Sequence, residues 1–248
     1  MRRHAYGPDR AQFGELVRPT GPARATTVVV LHGGFWRARY DLALGRPLAD
    51  DLARRGYPVW NLEYRRVGGR GGWPATLADV AAGIDELAVL DVDLSSVVAL
   101  GHSAGGHLAV WAAARTQLPA GAPGAEPTVA LTGAIAQAGV LDLSAAFAAG
   151  LGAGAVAELL GGAPAEHQDR YAVADPMRHV PLPVPVVCVH ARGDDVVPVS
   201  QSRAYVAAAT AAGGRASLVE TDGDHFTVID VSRPDWTAIV GALESLSS

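Results

Sequence analysis

The 248-residue sequence predicts an α/β fold: a mostly parallel, twisted sheet with helices on both faces. Short Val-rich runs alternate with longer Ala/Leu stretches along most of the chain. The short runs are apolar at both odd and even positions, as strands buried on two faces must be. Strand followed by helix, many times over, calls for right-handed crossovers and so for parallel neighbours.

The elements follow in order. Residues 12–17 read as an early antiparallel strand. Residues 27–31, Thr-Val-Val-Val-Leu, read as a buried strand bounded by Thr26 and by His32-Gly33-Gly34. Residues 41–55 carry helical periodicity through Leu42, Pro47-Leu48 and Leu52, and Gly56 ends them. Residues 58–64 are the next strand. Pro74 opens a helix to about residue 90, with Leu77, Val80, Ile84 and Leu87 near one face. Strand 97–100, helix 104–115 and strand 129–136 follow, with Pro/Gly-rich residues 119–127 as a surface loop. Strand 184–189, helix 200–212 ended by Gly213-Gly214, strand 216–219 and helix 235–246 complete the alternation. Residues 141–183 break it. They are Gly-rich, hold one short helical piece at 155–160, and read as a small cap-like excursion within a single domain.

Composition excludes several chemistries. All 20 basic residues are arginine, so lysine Schiff bases, P-loop lysines and Ser–Lys pairs are ruled out. One Cys excludes an internal disulfide, a multi-cysteine zinc site and an iron–sulfur cluster; Cys188 lies in an apolar strand and reads as a buried hydrophobe. The net charge of −5 and the lack of basic clusters beyond pairs argue against nucleic-acid or anionic-membrane surfaces. The arginines near the N-terminus have no apolar stretch behind them, so no signal peptide is expected. No window approaches the roughly 18 apolar residues of a membrane span, and the cytoplasm is the expected compartment.

In an open parallel sheet, ligands sit beyond the carboxyl ends of the strands. His32-Gly33-Gly34-Phe35-Trp36, Gly101-His102-Ser103-Ala104-Gly105, His190-Ala191-Arg192-Gly193-Asp194-Asp195 and Asp222-Gly223-Asp224-His225-Phe226 each follow a strand. A Ser, an acid and a His therefore converge on one edge in that chain order. Gly101-x-Ser103-x-Gly105 between strand and helix is the nucleophile-elbow pattern, with glycines making room for a strained turn that projects the Ser103 hydroxyl. His225 is the candidate base. Asp194 or Asp195 orients it; both stand before Val196-Val197-Pro198, and one of the two must face away. Ala104, Gly34 and Phe35 are candidate amide donors to an oxyanion. Among the other histidines, His32 is expected to brace its loop, and His107 and His190 to be packed. Trp36, Tyr64, Trp73, Phe147 and Phe226 are candidate pocket residues, with core packing the alternative for at least half of them.

With these residues in place the chain resembles an α/β-hydrolase over nearly its whole length. Within that superfamily it resembles small esterases with a His-Gly-Gly-x-Trp loop. The pairing of that loop with Gly-His-Ser-Ala-Gly-Gly-His is similar to kynurenine formamidases (arylformamidases) and to related carboxylesterases, including the feruloyl-esterase-like group. Relatives of hormone-sensitive lipase have a third Gly where this chain has Phe35, which favours the formamidase-like branch. The resemblance implies an α/β-hydrolase fold with a minimal cap, and Asp194 as the acid. It implies a serine hydrolase that cleaves small or aryl carboxylic esters through a Ser103–His225–Asp194 triad and an acyl-enzyme. N-formylkynurenine-type amide hydrolysis is the alternative; its substrate carboxylate would need a cation, with Arg37, Arg65 and Arg66 as candidates. A ligand-binding homologue without chemistry is the third reading, disfavoured because all three triad positions are filled. No metal or cofactor is expected. The expected partner is a small-molecule ester or amide, with a homodimer left open.

Overall fold

The computed structural model describes residues 2–247. Its sheet has eight strands: β1 (Arg2–Ala5), β2 (Phe13–Val17), β3 (Thr26–Leu31), β4 (Val59–Leu62), β5 (Ser96–His102), β6 (Gly133–Gln137), β7 (Val186–Ala191) and β8 (Ala216–Thr221). They lie in the order β1-β2-β4-β3-β5-β6-β7-β8. β2 pairs antiparallel with β1 and β4. Every other pair is parallel, so β3, β5, β7 and β8 deliver their carboxyl ends to the same edge.

Side-chain parity divides the core in two. Val28, Val30, Val98, Leu100, Val187 and Val189 face a layer built by α1 (Arg46–Arg54) and α8 (Pro234–Leu246), through Leu48, Leu52, Trp236, Ile239 and Leu243. Val29, Leu31, Val97, Ala99, Val186 and Cys188 face the opposite layer of α2 (Ala75–Asp85), α3 (Ala104–Ala113) and α7 (Ser200–Ala211). The predicted architecture, helices on both faces of a mostly parallel sheet, is the one found. No helix of the described residues is long and apolar enough to cross a membrane.

Departures from the sequence reading have local causes. Helix 41–55 is a 3₁₀ turn, Leu42–Gly45, followed by α1, because Pro47 has no N–H for a continuous helix and suits a helix start. β6 begins at Gly133 instead of 129, since the Val129 N–H is diverted to the Asp85 carboxylate at 3.0 Å. β1 was not read at all; Arg2-Arg3-His4-Ala5 is a polar edge strand without apolar alternation. The excursion after β6 holds three helices where one was predicted: α4 (Leu143–Ala148), α5 (Ala155–Leu160) and α6 (Gln168–Ala174). Their inner faces, Leu143, Ala146, Val156, Leu159, Leu160, Tyr171 and Ala174, are buried in the α2–α3 layer. The excursion is thus part of the core on one side and stands beside the site edge on the other.

Candidate active site

Ser103 stands between β5 and α3 at φ 56, ψ −117, a left-handed conformation that costs a non-glycine residue about 1–3 kcal/mol. Its N–H donates to the Gln137 carbonyl at the end of β6, 2.8 Å away, which fixes the turn against the neighbouring strand. A Cβ at Gly105 would collide with the Leu31 and His32 carbonyls, and one at Gly101 with the Gly105 backbone. Side chains at either position would push α3 off the strand ends, so the glycines are required by close backbone approach. The Ser103 residue is 2% exposed.

After β7 and β8 the structure brings Asp194 and His225 together. His225 Nδ1 lies 2.7 Å from Asp194 Oδ2. Asp195 is exposed, so of the two adjacent carboxylates Asp194 is the one that meets the imidazole. Asp194 Oδ1 accepts the N–H groups of Val196 and Val197 at 2.9 and 2.8 Å, an Asx-type turn that points Oδ2 at the rings. Burial alone would push this carboxyl up. Hydrogen bonds from His190, His225 and the Val197 amide outweigh that and hold it well below the usual carboxylate range. The His225 loop is held by two further contacts: His102 Nε2 donates to the His225 carbonyl at 2.8 Å, and Gln137 Nε2 to the Val228 carbonyl at 2.6 Å. Burial, and next the neighbouring His225, pushes His102 down to about 3, so it remains a neutral donor. With Nδ1 engaged by Asp194, Nε2 is the ring nitrogen of His225 that remains. No hydrogen bond joins Ser103 Oγ to His225 among the described residues. In enzymes without substrate this link is often long and tightens in the complex.

The loop after β3 forms the other wall. Gly33 packs directly on the elbow, where a Cβ would sit 2.9 Å from the His102 carbonyl and 3.2 Å from Ser103 Cβ. The next three residues all have positive φ: Gly34 at 108, Phe35 at 51 and Trp36 at 57. The N–H groups of Gly34, Phe35 and Ala104 donate to no acceptor among the described residues, which leaves all three amides available. Behind the loop, His32 Nε2 lies 3.0 Å from Glu63 Oε1 and Nδ1 lies 2.8 Å from the Gly33 carbonyl. Glu63 also accepts the N–H groups of Tyr64 and Leu42 and pairs with Arg66. Sequence reading missed Glu63. Its only signal is an acid that directly follows the short strand β4, Val59-Trp60-Asn61-Leu62.

The candidate pocket aromatics separate. Trp36 and Tyr64 are buried and are held by residues outside the Ser103–His225–Asp194 set. The Trp36 indole donates to His107 Nδ1 at 3.2 Å, and Tyr64 stacks on His32 with its hydroxyl donating to the His32 carbonyl. Aromatics with a polar handle can sink this far because the handle finds a partner. His107 is buried as expected and is driven down to about 4 by desolvation, a neutral link between Trp36 and the Ala174 carbonyl. Phe226 is 60% exposed, edge-on to His225 with ring centroids 5.2 Å apart. Phe147 and Trp73 are half-buried, and Phe35 packs against Gly152 of the excursion. Arg37, Arg65 and Arg66 are each already paired, with Glu158, Asp79 and Glu63.

Comparison with known proteins bears on the family and the fold. A family model, BD-FAE, matches residues 16–208. No curated protein matches the chain by sequence. Among solved structures it is similar to a truncated carbohydrate esterase from gut microbiota (20% identity, TM-score 0.82, covering 99% of this chain and 95% of that one). It is also similar to the butyrate-bound esterase Est2 of the Planctomycetes species Thermogutta terrifontis (26%, 0.74, 98% and 90%). A third is esterase B of Lactobacillus rhamnosis inhibited by a tributyrin phosphonate (22%, 0.83, 99% and 84%). The fold is that of the α/β-hydrolases, and the chain belongs to the BD-FAE family.

Proposed function

We propose that this protein is a serine esterase acting on carboxylic esters with a small acyl group, with Ser103, His225 and Asp194 as its triad. The observation that carries the reading is a strained, glycine-flanked Ser103 on the same sheet edge as the Asp194–His225 pair, joined at 2.7 Å. Ser103 Oγ attacks the acyl carbon as His225 Nε2 takes its proton. Asp194 stays ionised and stabilises the imidazolium. The amides of Ala104, Gly34 and Phe35 receive the oxyanion. His225 returns the proton to the departing alcohol, and water then releases the acid from Ser103. No cofactor is called on.

The family match and the esterases among similar structures support ester chemistry. The butyrate and tributyrin phosphonate named in two of them support a short acyl chain. Phe226, exposed beside His225, offers an apolar platform for the acyl or alcohol group. The arylformamidase alternative has less support here, since the three arginines that would meet a substrate carboxylate are all committed to acidic partners. Ser103→Ala is expected to lower kcat on p-nitrophenyl butyrate by about 10³-fold or more, and to abolish labelling by a fluorophosphonate. Wild-type turnover in that variant would end the reading.

A further inference from the structure

His190 is the penultimate residue of β7, is fully buried, and stands four residues before Asp194. Its Nε2 lies 3.1 Å from Asp194 Oδ2 and 2.8 Å from the Val197 carbonyl, and both of these are acceptors. Nε2 therefore carries the hydrogen. Nδ1 accepts from the Ser202 hydroxyl at 2.8 Å, which holds the ring in that tautomer. Oδ2 is the same oxygen that meets His225. The carboxylate thus takes four donors, two amides on Oδ1 and two imidazoles on Oδ2. A histidine that only filled space would have no need to aim an N–H at the oxygen that orients the base.

We propose that His190 is a positioning residue for ester hydrolysis that acts through Asp194: its Nε2–H holds Oδ2 in line with His225 and tempers the basicity of that oxygen. This rests on Asp194 being the triad acid. A donor on Oδ2 draws off part of the charge that would otherwise stabilise the His225 imidazolium. Removing His190 returns that charge to the pair with His225, and the acid limb of the pH–activity profile is where the change is read.

The other groups around this cluster do not titrate in the same window. Facing His225 are Asp194, His102 and Phe226, with the His102 ring 4.6 Å away and neutral because burial drives it down to about 3. Beyond Ser202 lies Cys188, whose thiol burial pushes up to about 12, and the Tyr205 hydroxyl is likewise pushed up by burial. Asp194 is held ionised.

The test is the pH dependence of kcat/KM for p-nitrophenyl butyrate in His190→Phe, which keeps a ring and removes the donor, and in His190→Gln, which restores an N–H near the Nε2 position. In His190→Phe the acid limb is expected to move up by about 0.5–1 pH unit, with kcat down about tenfold and KM within about twofold. His190→Gln is expected to return the limb to within about 0.2 unit of wild type. A His190→Phe limb that superimposes on wild type overturns the proposal. If His190→Phe does not fold, Ser202→Ala, which releases the tautomer, is expected to move the limb the same way by a smaller amount, and an unmoved limb there overturns it equally. Asp194→Asn separates the two readings. Wild-type turnover in Asp194→Asn removes the triad acid and this inference together. A large loss there with an unmoved His190→Phe limb removes the inference alone.

Discussion

The two walls of the proposed site, acid–base and oxyanion, are held in different ways. On the first, everything converges on one carboxylate: Asp194 takes four hydrogen bonds, and His102 and Gln137 pin the His225 loop by its carbonyls. On the second, the proposed donors are backbone amides, and two of them, Gly34 and Phe35, lie in a run of three positive-φ residues that ends with Trp36. Each such non-glycine residue costs about 1–3 kcal/mol and persists only where its surroundings over-determine it. Here they do: the Trp36 carbonyl accepts from Val67, the Trp36 indole reaches His107, Phe35 packs on Gly152, and Arg37 reaches Glu158 and the Ala153 carbonyl. A hub fails when its centre is altered. A distributed brace loses one strand at a time.

The largest effect should come from the hub. Asp194→Asn keeps the shape but offers His225 an amide in place of a charge, favouring the wrong tautomer; kcat is expected to fall by about 10³–10⁴-fold. Asp195→Asn, a change to an exposed neighbour, should leave kcat within about threefold. Steady-state kinetics of the two variants side by side decides the matter, and equal losses would place the acid elsewhere.

That pair of carboxylates also marks how far the sequence could be read. The strand ends carrying Ser103, His225 and the Gly33-Gly34 loop were legible because valine-rich runs and glycine turns are local signals. Asp194 and Asp195 have the same local pattern. What separates them is a turn that closes when Val196 and Val197 donate to Oδ1, a property of the folded backbone. Trp36 and Tyr64 were expected at the pocket because aromatics beside a site often line it. Both are buried, since His107 and the His32 carbonyl, distant in sequence, satisfy their polar ends. α4 and α6 lack the local punctuation that marks α5: α5, as short as α4, is bracketed by Gly154 and Gly161, whereas α4 and α6 have no such glycine pair. The Asp175 carboxylate, from beyond α6, accepts the N–H groups of Leu143 and Ser144 in the first turn of α4.

Glu63 is the one point where the oxyanion wall has a hub of its own. It is buried and serves His32, Leu42, Tyr64 and Arg66. Glu63→Gln turns one acceptor into a donor and leaves at least one of these groups facing another N–H. A stability loss of about 1–3 kcal/mol is expected from thermal unfolding. If the loop amides shift with it, kcat should fall about 10- to 100-fold with little change in KM, since such donors act on the developing oxyanion. Unchanged kcat together with lowered stability would show that the strained backbone holds its course without Glu63.

The smallest effect should come from the outermost strand of that brace. Arg37 grips Glu158 with two hydrogen bonds, at 2.7 and 3.0 Å, and so ties the oxyanion loop to α5. The side chains are 23% and 44% exposed, so water and salt screen the pair. α5 does not depend on it, because Val156, Leu159 and Leu160 are buried in the core and the Leu159 carbonyl accepts the Trp73 N–H at 2.7 Å. Arg37→Ala should therefore cost no more than about 1 kcal/mol of stability and change kcat/KM by less than about threefold. The stability difference from wild type should also shrink in high salt. A tenfold or greater loss of kcat/KM would mean that the surface latch, and not the buried contacts behind it, sets the position of the Gly34 and Phe35 amides, and the oxyanion wall would then be as concentrated as the acid–base wall opposite.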